Sequence, residues 1–163
     1  VFLRRGGFMR VHAPLRAAAG IVCMSLFVSL VFLADLFAGP EESDTVLQEN
    51  LLPARQGDPQ AQVFVGYLYE TGQFVERNYP KAAQWYGKAA EQGNTIAQSQ
   101  LGSMYWLGKG VPQNYILAYM WLDLAAKGGN VSARDLKRVV ASKMSPGDIA
   151  EAKRMIQEWK PRK

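Results

Sequence analysis

Apolar positions follow two different patterns along the chain. Ala17 to Gly39 (AAAGIVCMSLFVSLVFLADLFAG) is apolar apart from Asp35 and has no amphipathic marking. A helix of about 20 such residues is long enough to cross a bilayer core. Beyond it, apolar residues recur three and four apart, the spacing of helices that turn one face inward. Sliding the chain by 36 residues aligns Gly57–Gln92 with Gly93–Gly128, with 13 of 36 positions identical, among them Ala61/Ala97, Gly66/Gly102, Tyr69/Tyr105, Gly72/Gly108, Asn78/Asn114 and Trp85/Trp121. A fixed period of this length is the mark of a helical solenoid.

The kept residues predict a helix–turn–helix unit. Asp58 and Asn94 cap a first helix, with Pro59 at its first position in the first copy. Gly72 and Gly108 end that helix, because glycine tolerates the left-handed conformation of a helix stop. Asn78 and Asn114 cap a second helix, which Gly93 and Gly129 close. Gly66 and Gly102 fall mid-helix, where glycine costs about 1 kcal/mol relative to alanine. Two such costs at one place predict close helix approach, with Tyr69/Tyr105 and Trp85/Trp121 filling the space beside the small residues.

Half-units flank the repeats. Ser43–Gln56 reads as a second helix without its partner. Ala133, Leu136, Val140 and Met144 mark a further first helix. Ser145-Pro146-Gly147-Asp148 is an N-cap with an acid three residues on, starting a last helix with Ile149, Ala152, Ile156 and Trp159 inward and Lys153, Arg154 and Lys160 outward. About six helices follow, since solenoid ends need caps over an otherwise exposed core. The expected fold is all-α, a short α-solenoid of stacked helix–turn–helix repeats preceded by an N-terminal hydrophobic helix. Residues 1–39 form a signal peptide or signal-anchor segment and 40–56 a linker with a partial repeat helix. Residues 57–92 and 93–128 are the two repeats, and 129–163 a partial repeat with a capping helix.

The pattern A–Q–x–x–[LV]–G–x–x–Y–x–x–G, then V–x–x–N–Y–x–x–A–x–x–W, then AA and a closing glycine, resembles the Sel-one-like repeats, a subclass of tetratricopeptide-type helical repeats. The resemblance covers about residues 54–144. It implies right-handed stacked helix pairs whose concave face gathers other proteins, often in bacterial envelopes or at membranes. Three departures stand out. Phe74 replaces the second loop glycine that Gly110 supplies, so a differently shaped first loop is expected. Pro53 replaces an alanine and is expected to break or kink its helix. Some exported members pin each repeat with a disulfide, whereas the only cysteine here, Cys23, lies in the apolar run, so cohesion must come from packing.

Charge refines the picture. Arg4, Arg5, Arg10 and Arg16 precede the apolar run, and from Pro40 onward 15 Lys/Arg face 13 Asp/Glu. The basicity of the chain therefore comes largely from its leader, which argues against nucleic acid as a partner. The arginines before the run and Glu41, Glu42 and Asp44 after it favour an N-in orientation, placing the repeats outside the cytoplasm. Inner-membrane anchoring and export after cleavage near Ala38 both fit. Residues 127–163 hold 10 basic and 4 acidic side chains. That is the balance of a solvated cap or of a surface drawn to anionic lipid through Lys153, Arg154, Lys160, Arg162 and Lys163.

Positions that differ between repeats are free to become surface. On the first helices these include Gln60, Val63, Phe64, Tyr67, Glu70 and Thr71, matched by Ile96, Ser99, Gln100, Ser103, Trp106 and Leu107. The candidate partner-binding residues are Phe64, Tyr67, Glu70, Gln100, Ser103 and Trp106, because large aromatics are enriched at binding hot spots. Part of the same face could instead serve stacking between repeats, with Glu70 the residue least expected there. Catalysis has little material: the one histidine, His12, lies in the leader, and no serine of the repeat region is followed three residues later by lysine. No cofactor, metal site or catalytic set is expected, and the reading is of a non-enzyme that binds proteins in the cell envelope. The alternative is an envelope enzyme or ligand-binding protein acting on peptidoglycan or β-lactams.

Overall fold

The computed structural model describes residues 40–162. The apolar stretch 17–39, the arginines before it, His12 and Cys23 lie outside the described residues, as does Lys163. Seven α-helices follow one another, with no strand among the described residues: α1 (Pro40–Arg55), α2 (Pro59–Thr71), α3 (Tyr79–Glu91), α4 (Thr95–Leu107), α5 (Tyr115–Lys127), α6 (Val131–Ala141) and α7 (Pro146–Glu158). None is long and apolar enough to cross a membrane. Consecutive helices from α1 to α6 pack against one another, and α7 packs back onto α5. The result is the expected all-α stack of repeats, with one helix more than the sequence count.

Local chemistry sets the ends. The Asp58 side chain accepts from the Gln60 N–H at 2.8 Å, and Asn94 accepts from Ile96 and Ala97 at 3.1 and 3.0 Å. Asn78 and Asn114 cap α3 and α5 through the N–H groups of Lys81 and Leu117. Each satisfies a helix-terminal donor that would otherwise lack a partner. Asn78 and Asn114 also donate their own backbone N–H to the carbonyls of Tyr69 and Tyr105, at 2.7 and 3.0 Å, so one bond closes the same loop in both copies. Ser145 and Asp148 form the reciprocal capping box at the start of α7.

Four local expectations change. The α1 helix runs through Pro53 to Arg55. The proline forgoes only one hydrogen bond, near a helix end, while Leu51 and Ala54 beside it are buried. Phe74 does not reshape its loop: it takes a left-handed conformation, φ 60°, close to the 72° of Gly110, so an aromatic residue bears a backbone geometry suited to glycine. The helix marked by Ala133 ends at Ala141, and Met144 packs against the core from the turn beyond it. The small residues Gly66 and Gly102 face Tyr86 and Leu122, each one place after the tryptophan. A Cβ at Gly66 would lie 2.8 Å from the Tyr86 ring, and one at Gly102 2.7 Å from Leu122 Cγ.

The buried residues form two clusters, a main one from α3 to α7 and a smaller one of Leu51, Ala54, Ala61 and Val65 that joins α1 to α2. Ala82, Ala89, Ala97, Ala118, Leu122, Ala125, Ala133, Val140 and Ala152 are fully enclosed. Small residues dominate because the helix axes approach closely, and burial of their methyl surface, at roughly 25 cal/mol per Å², is the main cohesive term without disulfides. The repeated glutamines add a polar staple. Gln62 Nε2 donates to the Ala54 carbonyl at 3.0 Å, and Gln98 Nε2 to the Ala90 carbonyl at 3.2 Å. Each ties a first helix to the end of the helix before it.

Candidate functional site

The first helices α2 and α4 carry the candidate residues, and the structure sorts them into two groups. Phe64 and Tyr67, one turn apart on α2, are 39% and 40% exposed. The other four are half-buried. Glu70 Oε2 accepts a hydrogen bond from the Tyr86 hydroxyl at 2.7 Å and another from Gln100 Nε2 at 3.2 Å. One carboxylate oxygen thus joins α2, α3 and α4. Glu70 and Gln100 therefore hold adjacent repeats together, and their side chains form the wall beside the exposed aromatics. Burial, then the hydrogen bond to Glu70, keep the Tyr86 phenol well above its ordinary value.

Trp106 is anchored rather than free. Its ring lies 5.1 Å from that of Tyr115, tilted by 41°, and its carbonyl accepts from Gln113 Nε2 at 2.8 Å. Ser103 sits one turn before it on α4. The face is thus an exposed aromatic pair on α2, a hydrogen-bonded Glu70–Gln100 bridge, and a Trp106 edge set by the loop before α5. Ile96 and Leu107, at the two ends of α4, add exposed apolar surface. Such a surface contributes apolar contact and hydrogen bonds, the means by which a protein partner is held.

Two features escaped the sequence reading. Asp123, 9% exposed, is held by Lys137 Nζ at 2.7 Å and Lys127 Nζ at 2.9 Å. Burial pushes its carboxyl up, but the hydrogen bonds from Lys137 and Lys127 outweigh that and keep it below the usual carboxylate range. Nothing local marks it, since the aligned residue of the first copy is Gly87. The second feature is the C-terminal tail, where Arg162 pairs with Glu91 at 2.8 Å, 71 residues away in sequence.

The basic C-terminal part is correspondingly less free than its composition implies. Lys127 and Lys137 hold Asp123, Arg138 lies beside Asp135, Arg154 pairs with Glu158, and Arg162 with Glu91. Half of its ten basic side chains therefore already face an acid. Among the described residues no group of three or more His, Cys, Asp or Glu is placed to hold a metal ion.

Stacked helix pairs and a loop-closing bond repeated in each copy define a helical-repeat protein. The repeats are Sel1 repeats: the Sel1 repeat family model matches residues 59–94 and 95–130. The period is the one read from the sequence, with the register two residues later. Proteins of this kind are, as a class, protein-interaction scaffolds. No curated protein matches the chain by sequence.

Solved structures agree on the fold. A protective antigen of uropathogenic Escherichia coli with an SLR fold is 28% identical, with a TM-score of 0.70 over 80% of this chain. A Sel1 repeat protein from Oxalobacter formigenes is 36% identical, with a TM-score of 0.55 over 64% of this chain. Cysteine-rich protein B of Helicobacter pylori is 27% identical, with a TM-score of 0.54 over 57% of this chain. The chain spans 28% of the first protein's length, 42% of the second's and 70% of the third's.

Proposed function

We propose that the chain is an adaptor of the bacterial cell envelope that binds other proteins on the face formed by α2 and α4. The observation that carries this reading is the pair Phe64 and Tyr67. They are large, one helical turn apart and about two-fifths exposed, beside a Glu70–Gln100 bridge whose geometry is already set. Rigid aromatics next to a fixed polar group bind with little loss of side-chain freedom. The apolar stretch 17–39 and the arginines before it support a membrane-anchored or exported protein with its repeats outside the cytoplasm.

A quantitative affinity purification from the native host tests the binding role, comparing the wild type with the double variant Phe64→Ala/Tyr67→Ala at equal thermal stability. A discrete protein enriched by the wild type and lost from the variant supports the adaptor. Identical recoveries from both would sink it. Protease accessibility of the repeats in spheroplasts tests the location separately: cleavage from outside is expected, and protection until lysis would contradict it.

A further inference from the structure

Three glycines lie inside the repeat helices, and two are explained by close approach to Tyr86 and Leu122. Gly87 is different. A Cβ built there meets no atom within 4 Å, so a glycine that weakens the interior of α3 serves no packing need of the protein itself. Gly87 lines a groove of about 360 Å³ between α3 and α5, with Leu101 and Tyr105 of α4 also in its wall. The neighbouring repeat positions are larger. Ala83 and Gly87 correspond to Leu47 and Leu51 one period earlier, and to Tyr119 and Asp123 one period later. Leu51 is buried in the core and Leu47 packs against it. The groove is therefore set by side-chain choice at this step of the repeat.

The chain's own tail is seated at one end of it. Past α7 the backbone turns extended at Trp159 (φ −68°, ψ 134°), and the Trp159 ring meets Trp121 edge-on at 6.3 Å. Arg162 donates its backbone N–H to the Glu91 carbonyl and its guanidinium to the Glu91 carboxylate, both at 2.8 Å. Glu91 and Trp121 line the groove and also the adjoining cavity of about 220 Å³ that Trp159, Lys160 and Arg162 complete. Glu91 is the only carboxylate among the groove's lining residues. Its pairing with Arg162 is exposed, at 41% and 76%, the kind of ion pair that is readily exchanged.

We propose that the α3–α5 groove is a second docking site, which takes an extended segment of another protein carrying an arginine followed by alternating apolar residues. The tail shows the chemistry of the mouth: a guanidinium on Glu91 and an extended backbone bonded to the Glu91 carbonyl. From Glu91 back to Pro80 the helix rises about 16 Å, which about five extended residues cover at roughly 3.3 Å each. Alternate side chains of such a segment share one face and meet Leu101, Tyr105 and Val111. Gly87 lets its backbone come close to α3. The tail competes for the mouth and gates it. None of these residues belongs to the α2–α4 face, so the two sites succeed or fail separately.

The test is fluorescence anisotropy on the full chain in mild detergent. The probe is the fluorescein-labelled peptide Trp-Lys-Pro-Arg-Leu-Ser-Leu-Ser-Leu, and a second peptide with glutamate for arginine reports non-specific uptake. Saturable binding of the first probe alone is expected. Arg162→Ala removes the competing guanidinium and tightens binding by about threefold or more. Gly87→Leu fills the groove and weakens binding at least about tenfold without lowering the melting temperature, and Glu91→Lys weakens it similarly. Equal uptake of both peptides, no saturable binding to Arg162→Ala, or unchanged affinity in Gly87→Leu would each overturn the proposal. Phe64→Ala/Tyr67→Ala leaves probe binding unchanged.

Discussion

Glycine-to-alanine substitution has opposite consequences at two sites in these repeats, and the structure supplies both signs. Inside a helix, alanine is favoured over glycine by about 1 kcal/mol. At Gly87 that term stands alone, because the new methyl enters open space. At Gly102 the methyl would lie 2.7 Å from Leu122 Cγ and 3.2 Å from the Leu122 backbone nitrogen. Leu122 is fully buried, and its Cγ is not the free end of a flexible chain, so α4 and α5 must separate or Leu122 must leave its rotamer. Overpacking of this kind costs about 1–3 kcal/mol, and the enclosed position puts it in the upper half of that range. After the helix term is subtracted, Gly102→Ala loses about 1–2 kcal/mol, while Gly87→Ala gains about 1 kcal/mol. Urea unfolding at constant m measures both, and for a domain of this size melting shifts by about 4 °C per kcal/mol. A double-mutant cycle with Leu122→Ala assigns the cause. The cavity variant alone is destabilised, but Gly102→Ala on that background is expected to be near neutral, a coupling of at least about 1 kcal/mol. The same sign at Gly87 and Gly102, or no coupling to Leu122, would refute the close-approach account.

Other outcomes follow from the same contacts. Gly110 combines φ 72° with a Cβ position directed into the Tyr79 carbonyl and the Pro80 nitrogen, so Gly110→Ala loses at least about 2 kcal/mol. Phe74→Gly at the equivalent site trades about 1–2 kcal/mol of left-handed strain against a similar entropic cost and stays within about 1 kcal/mol of the wild type; thermal melts distinguish the two. The depressed Asp123 carboxyl contributes stability above the unfolded value near 3.9 that is lost as pH falls through the folded value. Lys137→Met, which leaves Lys127 as the partner, therefore costs about 1 kcal/mol at pH 7, a difference that fades towards pH 3 in a pH series of urea midpoints. The raised Tyr86 phenol works in the opposite direction: its contribution is complete below about pH 10 and declines as pH climbs towards the folded value. Tyr86→Phe costs about 1–2 kcal/mol at pH 7 and removes that alkaline decline.

The capping residues and terminal glycines were legible because their chemistry is local. Asp58, Asn78, Asn94 and Asn114 act on N–H groups two or three residues away, and the 36-residue repeat points to each twice. Pro53 misled because a rule for helix interiors was applied within the last turn. The partner of Gly66 and Gly102 was misplaced by one residue because identity between copies favoured Trp85/Trp121. The neighbours in contact, Tyr86 and Leu122, differ in side chain while sharing a position. Glu70 illustrates the harder limit. Its variability between repeats was consistent with a free surface, yet it bridges residues 16 and 30 positions away, and no spacing rule reports such a meeting. The Arg162–Glu91 contact depends on α7 folding back onto α5, which the helix period does not encode. Phe64 and Tyr67 lie exposed, as their difference between the repeats suggested, whereas Glu70 and Gln100, equally unrepeated, are drawn into the stack.

The central claim is that the exposed pair on α2 meets a protein partner, and site-specific photo-crosslinking in the native host tests it most directly. A photoreactive residue replaces Tyr67, with a control at Glu151, exposed on α7, and adducts are identified by mass spectrometry. A discrete protein crosslinked from position 67, absent from position 151 and lost when Phe64→Ala is added, is the predicted result. No adduct at 67, or the same adducts from both positions, would contradict the account.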